Sequence, residues 1–222
     1  MEIEPIAYIY NPYTEKFGIP RQSGLADTVS RIVFTGPFRN PDCVRGLDAY
    51  SHLWLIASFS DNLAAGWTPT VRPPKLGGNT RVGVFATRSS FRPNGLTLSS
   101  VKLLKIEPDT PEGPVLTVAG ADLKNGTPIY DIKPYLPYTD SHPDAKGSFG
   151  EAASGRRLEV EIPPELQTCL DSEALEEVKD ILALDPRPGY QHDPERIYGM
   201  LYGDKNILFR ADDSRLTGTA IQ

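Results

Sequence analysis

The 222-residue chain is 39% hydrophobic and 23% charged, with a formal net charge of −6, the balance of a soluble globular protein with room for one large domain or a domain plus an appendage. No apolar run approaches the ~20 residues needed to span a bilayer, and the acidic start "MEIEPIAYIYNP" lacks the pattern of a signal peptide. Cys43 and Cys169 lie far apart, and His52, His142 and His192 are scattered; the spacing argues against a disulfide framework and a zinc site and for a reduced, cytoplasmic setting.

In chain order, Ile3, Ile6, Tyr8 and Tyr10 alternate as in a strand over 3–10, followed by the Pro- and Gly-containing loop "NPYTEKFGIPRQSG". Arg31–Phe34 reads as a second strand, Pro41–Leu47 as a short helix capped by Asn40, and His52–Phe59 as a buried strand. The long passage "AAGWTPTVRPPKLGGNT" has the length of a functional loop. Strands are expected at 81–87, 97–106, 114–121 and 128–132, so the fold is mainly β, a barrel or sandwich over residues 1–145. The polar "DSHPDAKGSFGEAASGRR" reads as a connection to a small α+β domain over 146–222. There, Pro163–Leu184 has helical periodicity, and 197–202 with 207–211 reads as a hairpin about Gly203-Asp204.

Charge divides the chain. Residues 1–105 carry a net +5 and residues 106–222 a net −11, and no acidic residue occurs from Asn62 to Ile106, a stretch that holds Arg72, Lys75, Arg81, Arg88, Arg92, Lys102 and Lys105. Such a field suits a polyanion such as nucleic-acid phosphate; a solvated strand face whose acids lie elsewhere in the fold accounts for it equally well.

Standard nucleotide-binding and hydrolase signatures are absent: neither a Gly-x-Gly-x-x-Gly, a phosphate-binding loop nor a Gly-x-Ser-x-Gly occurs. Polar residues instead gather on stiffened loops. "PRQSG" (20–24) offers a guanidinium and an amide on a rigid corner, although a plain surface turn would look the same. "RSSFRPN" (88–94) offers two guanidinium forks, two hydroxyls, a ring and an amide, with Arg92 held extended by the following proline. In "DLKNGTPIYDIKPYLPY" (122–138), Asp131, Lys133 and Tyr135 alternate, so in an extended chain they share a face; an ordinary Asp–Lys ion pair is the simpler reading of two of them.

These segments, with "VRGLDAYSHLWLI", "GWTPTVRPPKLGGNTRVGVFATRSSFRPN" and "DPRPGY", resemble the TrmO family strongly over residues 5–140 and more weakly at 185–190. The resemblance implies a tRNA methyltransferase with a β-barrel. It would bind S-adenosylmethionine near a homodimer interface and methylate N6 of N6-threonylcarbamoyladenosine beside the anticodon. It also implies a cofactor site at Pro20, Arg21, Gln22, Ser60, Asp61, Arg88, Leu98, Asp122, Leu123, Lys124 and Asn125. The chain departs from the family pattern at Gly95-Leu96-Thr97, where relatives commonly continue Pro-Ile-Gly, and at Ser60, a histidine in some relatives. Methyl transfer from a sulfonium needs mainly alignment, which fits the lack of a conspicuous catalytic dyad. The N6 proton is expected to go to Asp131, Tyr135 or a nearby water, with Lys133 biasing their charge; alternatively Lys133 and Arg92 hold a carboxylate or phosphate. Phe91, Arg92 and Asn94 would face the base of a tRNA anticodon loop. A non-catalytic RNA-binding barrel and a cofactor-binding protein without RNA are the alternative functions.

Overall fold

Several strands are apolar runs in which burial, more than residue type, alternates along the chain. The computed structural model describes residues 2–59, 66–73, 76, 80–147, 157–188, 191 and 193–222. The first eight strands are β1 (Ala7–Tyr10), β2 (Val29–Phe34), β3 (His52–Ser58), β4 (Thr70–Val71), β5 (Val82–Gly83), β6 (Leu96–Glu107), β7 (Val115–Ala119) and β8 (Pro128–Pro134). Six of them close into a barrel in the order β1-β2-β7-β6-β3-β8, while β4 and β5 form a separate ribbon. All neighbouring pairs in the barrel are antiparallel.

Closure depends on the long strand β6. Residues 96–102 pair with β3, residues 102–107 pair with β7, and the register shifts between Leu103 and Lys105. A bulge of this kind bends a strand and tightens its twist, which lets one strand serve two neighbours around a small barrel. Inward residues from every barrel strand, among them Ile9, Ile32, Leu53, Leu55, Val101, Leu116, Val118 and Ile129, are almost completely buried. Burying side chains of this size contributes roughly 1.5–3 kcal/mol each.

The expected strand at 81–87 is corrected. Only Val82–Gly83 is strand; Val84–Ala86 is a 3₁₀ turn closed by the Thr87 amide on the Val84 carbonyl at 3.1 Å. The Val84 amide instead donates to Pro69 at 3.0 Å, so the segment is tied to the preceding loop and not to the barrel. Pro41–Val44 is also a 3₁₀ turn, with the Asn40 side chain accepting from the Asp42 amide as its sequence suggests.

Beyond the barrel come α1 (Pro137–Asp140), β9 (Glu159–Glu161), α2 (Pro164–Gln167), α3 (Ser172–Ala183), β10 (Tyr198–Tyr202), β11 (Lys205–Ala211) and β12 (Arg215–Ile221). The last strands form a sheet in the order β10-β11-β12-β9, with β9 parallel to β12. The single helix expected over 163–184 is two. Asp171 interrupts it, because its side chain caps a new helix through the Ala174 amide at 2.8 Å. The hairpin about Gly203-Asp204 forms in the expected place.

A second core collects Val178, Ile181, Leu182, Met200, Ile207, Phe209 and Leu216, and it also takes in Tyr13 and Ala26 from the loop between β1 and β2. That loop therefore packs on the C-terminal sheet while both its ends belong to the barrel. A Cβ at Gly18 would meet the Met200 side chain at 2.5 Å, and its φ of +93° suits glycine, so the close approach depends on the missing side chain.

Candidate active site

The barrel topology sorts its loops. β1, β3 and β7 all run toward one end, from which β2, β6 and β8 return. The connections 11–28, 59–95 and 120–127 therefore gather at that end. They contain every described cofactor residue expected from the sequence except Leu98, which lies just inside β6, and all three residues expected at the base. Ser60 and Asp61 lie outside the described residues.

Four segments interlock there. The Arg88 guanidinium donates to Gln22 Oε1 at 2.6 Å, and Gln22 Nε2 donates to the Arg21 carbonyl at 2.5 Å. Ser23 Oγ accepts from the Ser100 amide at 3.1 Å, and the Gly24 amide donates to the Gly120 carbonyl at 2.8 Å. Gly24 and Gly120 both have positive φ, and a Cβ on Gly120 would sit 3.3 Å from the Gly24 backbone. The two loops can approach this closely because both residues are glycine. Ser99 Oγ donates to Asp122 Oδ1 at 2.5 Å. Burial pushes the Asp122 carboxyl above its ordinary value, while the Ser99 hydroxyl, backbone amides and the Arg88 charge oppose the rise. The result is a half-buried carboxylate beside an exposed guanidinium, a pair that can engage a ligand carrying both signs of charge.

The remaining sequence candidates have varied placements. Pro20 is buried beneath this loop, whereas Leu98 is 53% exposed on the outside of β6. Leu123 belongs to the barrel core, so only its backbone is available, and its carbonyl accepts from Asn11 Nδ2 at 2.8 Å. Asn125 holds the same loop, its side chain accepting from the Asn11 amide and its own amide donating to Tyr13. Lys124 is half-buried beside them. Arg21 reaches away, to the carbonyls of Asp185 at 3.3 Å and Arg187 at 2.8 Å. Arg92 folds back on its own loop, donating to Thr87 and Ser89 carbonyls at 3.1 and 3.4 Å. Phe91 is half-buried, its carbonyl accepting from Thr68, while Asn94 is exposed at the tip and Gly95 turns the chain with φ +59°.

Asp131, Lys133 and Tyr135 do share one face. Asp131 and Lys133 pair at 3.2 Å, and the Tyr135 ring lies 5.5 Å from Trp54 and 6.3 Å from His52. Across the strands Asp131 stands opposite Ile56, and Ile56 opposite Leu98. Two strand spacings put Asp131 about 10 Å from Leu98 on the outer surface. Sequence reasoning missed Ser23, Ser99 and Ser100; a Ser-Ser pair inside the apolar alternation of β6 was the available signal.

The two oppositely charged halves of the chain are joined at α3. On α3, Glu177 accepts from the Val29 amide at 2.9 Å and Asp180 from the Asp27 amide at 3.2 Å, so two acids of the negative half hold the barrel. Tyr202 donates to Glu177 at 2.5 Å and Tyr13 to Thr28 at 2.7 Å; burial raises both phenols well above their usual range. Among the described residues no cluster of His, Cys, Asp and Glu could hold a metal, and no helix is long and apolar enough to cross a membrane.

Comparison with known proteins converges on one family. The tRNA-methyltransferase O N-terminal domain matches residues 8–141, and the TrmO C-terminal domain matches residues 155–222. The chain is 40% identical over 224 residues to the tRNA (adenine(37)-N6)-methyltransferase of Escherichia coli K12, covering 96% of this chain and 94% of that one. A Pseudomonas aeruginosa relative named "Putative S-adenosylmethionine-dependent methyltransferase RcsF" is 38% identical over 213 residues, 92% of this chain and 90% of its own. The crystal structure of TrmO from Pseudomonas aeruginosa superposes with a TM-score of 0.80 at 30% identity, covering 100% of this chain and 98% of that one. The chain belongs to the tRNA-methyltransferase O family.

Proposed function

We propose that this protein is an S-adenosylmethionine-dependent tRNA methyltransferase acting on N6 of N6-threonylcarbamoyladenosine beside the anticodon. The observation that carries the reading is the interlocked barrel end, with Gln22, Arg88, Ser99 and Asp122 in contact, in a chain 40% identical along nearly its whole length to a tRNA (adenine(37)-N6)-methyltransferase. Residues 1–145 form the methyltransferase domain and residues 146–222 a small α+β domain that braces it. The enzyme works in the cytoplasm as a homodimer.

The residues fit the cofactor. S-adenosylmethionine brings a methyl group on a sulfonium, a strong electrophile with a neutral leaving group. Arg88 suits its carboxylate and Asp122 its ammonium or a ribose hydroxyl. Pro20, Gln22, Ser60, Asp61, Leu98 and the backbone of Arg21, Leu123, Lys124 and Asn125 complete the proposed site, the Arg21 guanidinium itself being turned away to the Asp185 and Arg187 carbonyls. The chain's contribution is alignment by loops already hydrogen-bonded to one another, which reduces the ordering needed on binding. Phe91, Arg92 and Asn94 receive the splayed base. Asp131 or Tyr135, on the adjoining outer face, accepts the N6 proton, with Lys133 beside Asp131.

Cells lacking the gene should lose N6-methylated threonylcarbamoyladenosine from their tRNA nucleosides, as read by mass spectrometry, and regain it on complementation. An unchanged nucleoside profile sinks the proposal.

A further inference from the structure

Between α3 and β10 the chain turns at Asp185-Pro186-Arg187 in an unusual way. Asp185 is the only non-glycine residue with positive φ among the described residues, at +52°. Few side chains adopt that region, aspartate and asparagine more readily than most, and such a conformation is held when surrounding structure fixes it. Here the surroundings are Arg187, whose side chain is 4% exposed. Its Nε and Nη2 donate to the two Asp185 carboxylate oxygens at 2.8 and 3.0 Å. Nη1 donates to the Ala211 carbonyl at 2.7 Å, and Nη2 also to the Asp212 carbonyl at 2.7 Å. One buried guanidinium thus fixes the corner to the β11–β12 turn.

The corner's outward product is a pair of carbonyls, those of Asp185 and Arg187, and both accept from Arg21 Nη2. Arg21 begins the run that continues with Gln22 on Arg88, Ser23 on β6 and Gly24 on Gly120. We propose that Asp185 and Arg187 are positioning residues for the barrel end. They present the two carbonyls on which Arg21 locks, and so set residues 22–24 against Arg88 and Asp122. The proposal rests on the reading of that end as the S-adenosylmethionine site. A structural corner alone would need its guanidinium and carboxylate, but it would not need its free carbonyls aimed at a loop more than 160 residues away in sequence.

The test uses the full chain with Arg21→Met, Asp185→Asn and the double variant, asparagine being tolerated at positive φ. Hydrogen exchange at the amides of 22–24 is measured without ligand. S-adenosylmethionine binding is measured by calorimetry, and kcat at saturating cofactor. Each single variant should speed exchange at 22–24 and weaken cofactor binding, both by about tenfold, with kcat little changed. The double variant should be no worse than the weaker single, because both changes break one linkage. Multiplying effects on binding, or unchanged exchange at 22–24 in Asp185→Asn, overturns the proposal. Faster exchange with unaltered binding overturns it too. Wild-type protein that binds no cofactor at millimolar concentration instead sinks the functional reading beneath it. If Asp185→Asn fails to fold, the exposed Arg21→Met decides: slow exchange at 22–24 in that variant overturns the lock, and fast exchange with weaker binding supports it.

Discussion

Ser99 and Leu98 are neighbours on β6, yet they belong to two different polar environments. Ser99 points inward and donates to Asp122 in a half-buried cluster with Gln22 and Arg88 close by. Leu98 points outward, in line with Ile56 and Asp131, on a face where the Asp131–Lys133 pair stays about half exposed. The strand alternation that separates them is one residue long. The inner cluster has its charges shaped by burial and by fixed hydrogen bonds, as sites that hold a small ligand do. The outer face offers aromatic rings and exposed charges, as surfaces that meet a nucleic acid do. On the proposed reading the inner cluster holds the charged groups of the methyl donor and the outer face, with Leu98 at the border between them, admits the acceptor.

The difference can be broken experimentally, beginning with the outer face. If Asp131 or Tyr135 takes the N6 proton, the Asp131→Asn/Tyr135→Phe double variant should lower kcat by about 100-fold or more while leaving cofactor affinity unaltered. Near-wild-type turnover at saturating cofactor would remove both from the chemistry. On the inner side, Arg88→Ala takes away a charge-assisted contact and should weaken S-adenosylmethionine binding by about 30-fold in calorimetry, with little change in thermal stability because the side chain is exposed.

Asp122→Asn should have a smaller effect on binding, about tenfold, and an opposite effect on stability. Burial holds a proton on Asp122 more tightly in the folded chain than in the unfolded one. The stabilisation this brings is complete below the ordinary carboxylate range and is lost as pH rises through the raised folded value. An asparagine cannot ionise, so the variant should melt higher than wild type at pH 7, and the gap should close as pH falls to about 4. A variant that melts lower at pH 7 would mean the carboxylate is stabilising where it sits. Lys133→Met should do least. An exposed ion pair contributes at most about 1 kcal/mol, so an unfolding free energy from urea titration lowered by more than that would show the outer pair to be structural.

The legible parts of the sequence were those written in short-range pattern. Alternation marked β1 and β6, short apolar runs marked β2 and β3, and the Asn40 cap and the Gly203-Asp204 turn carry their own chemistry. The stiffened loops at 20–24, 88–94 and 122–125 stood out by composition and meet at one barrel end. Less legible were β9 and β12: β9 spans three residues, and β12 carries Gly218 in its interior, so neither makes a strong periodic signal. The 84–86 turn was misread because its residues are good strand formers, and only the tie to Pro69 diverts them. Arg21 looked like a ligand fork; its partners are carbonyls made available by a buried arginine far along the chain.

By itself the sequence determined that this is a β-rich chain with a smaller α+β tail and that its chemistry sits on rigid loops, since side-chain period, turn residues and charge are local properties. Tertiary structure alone decided which loops touch, that half-buried Asp122 meets Ser99, and that Arg21 answers to Asp185 and Arg187. Those outcomes depend on barrel closure and on the second core reaching back to Tyr13, both contacts between residues distant in sequence whose partners no local pattern names.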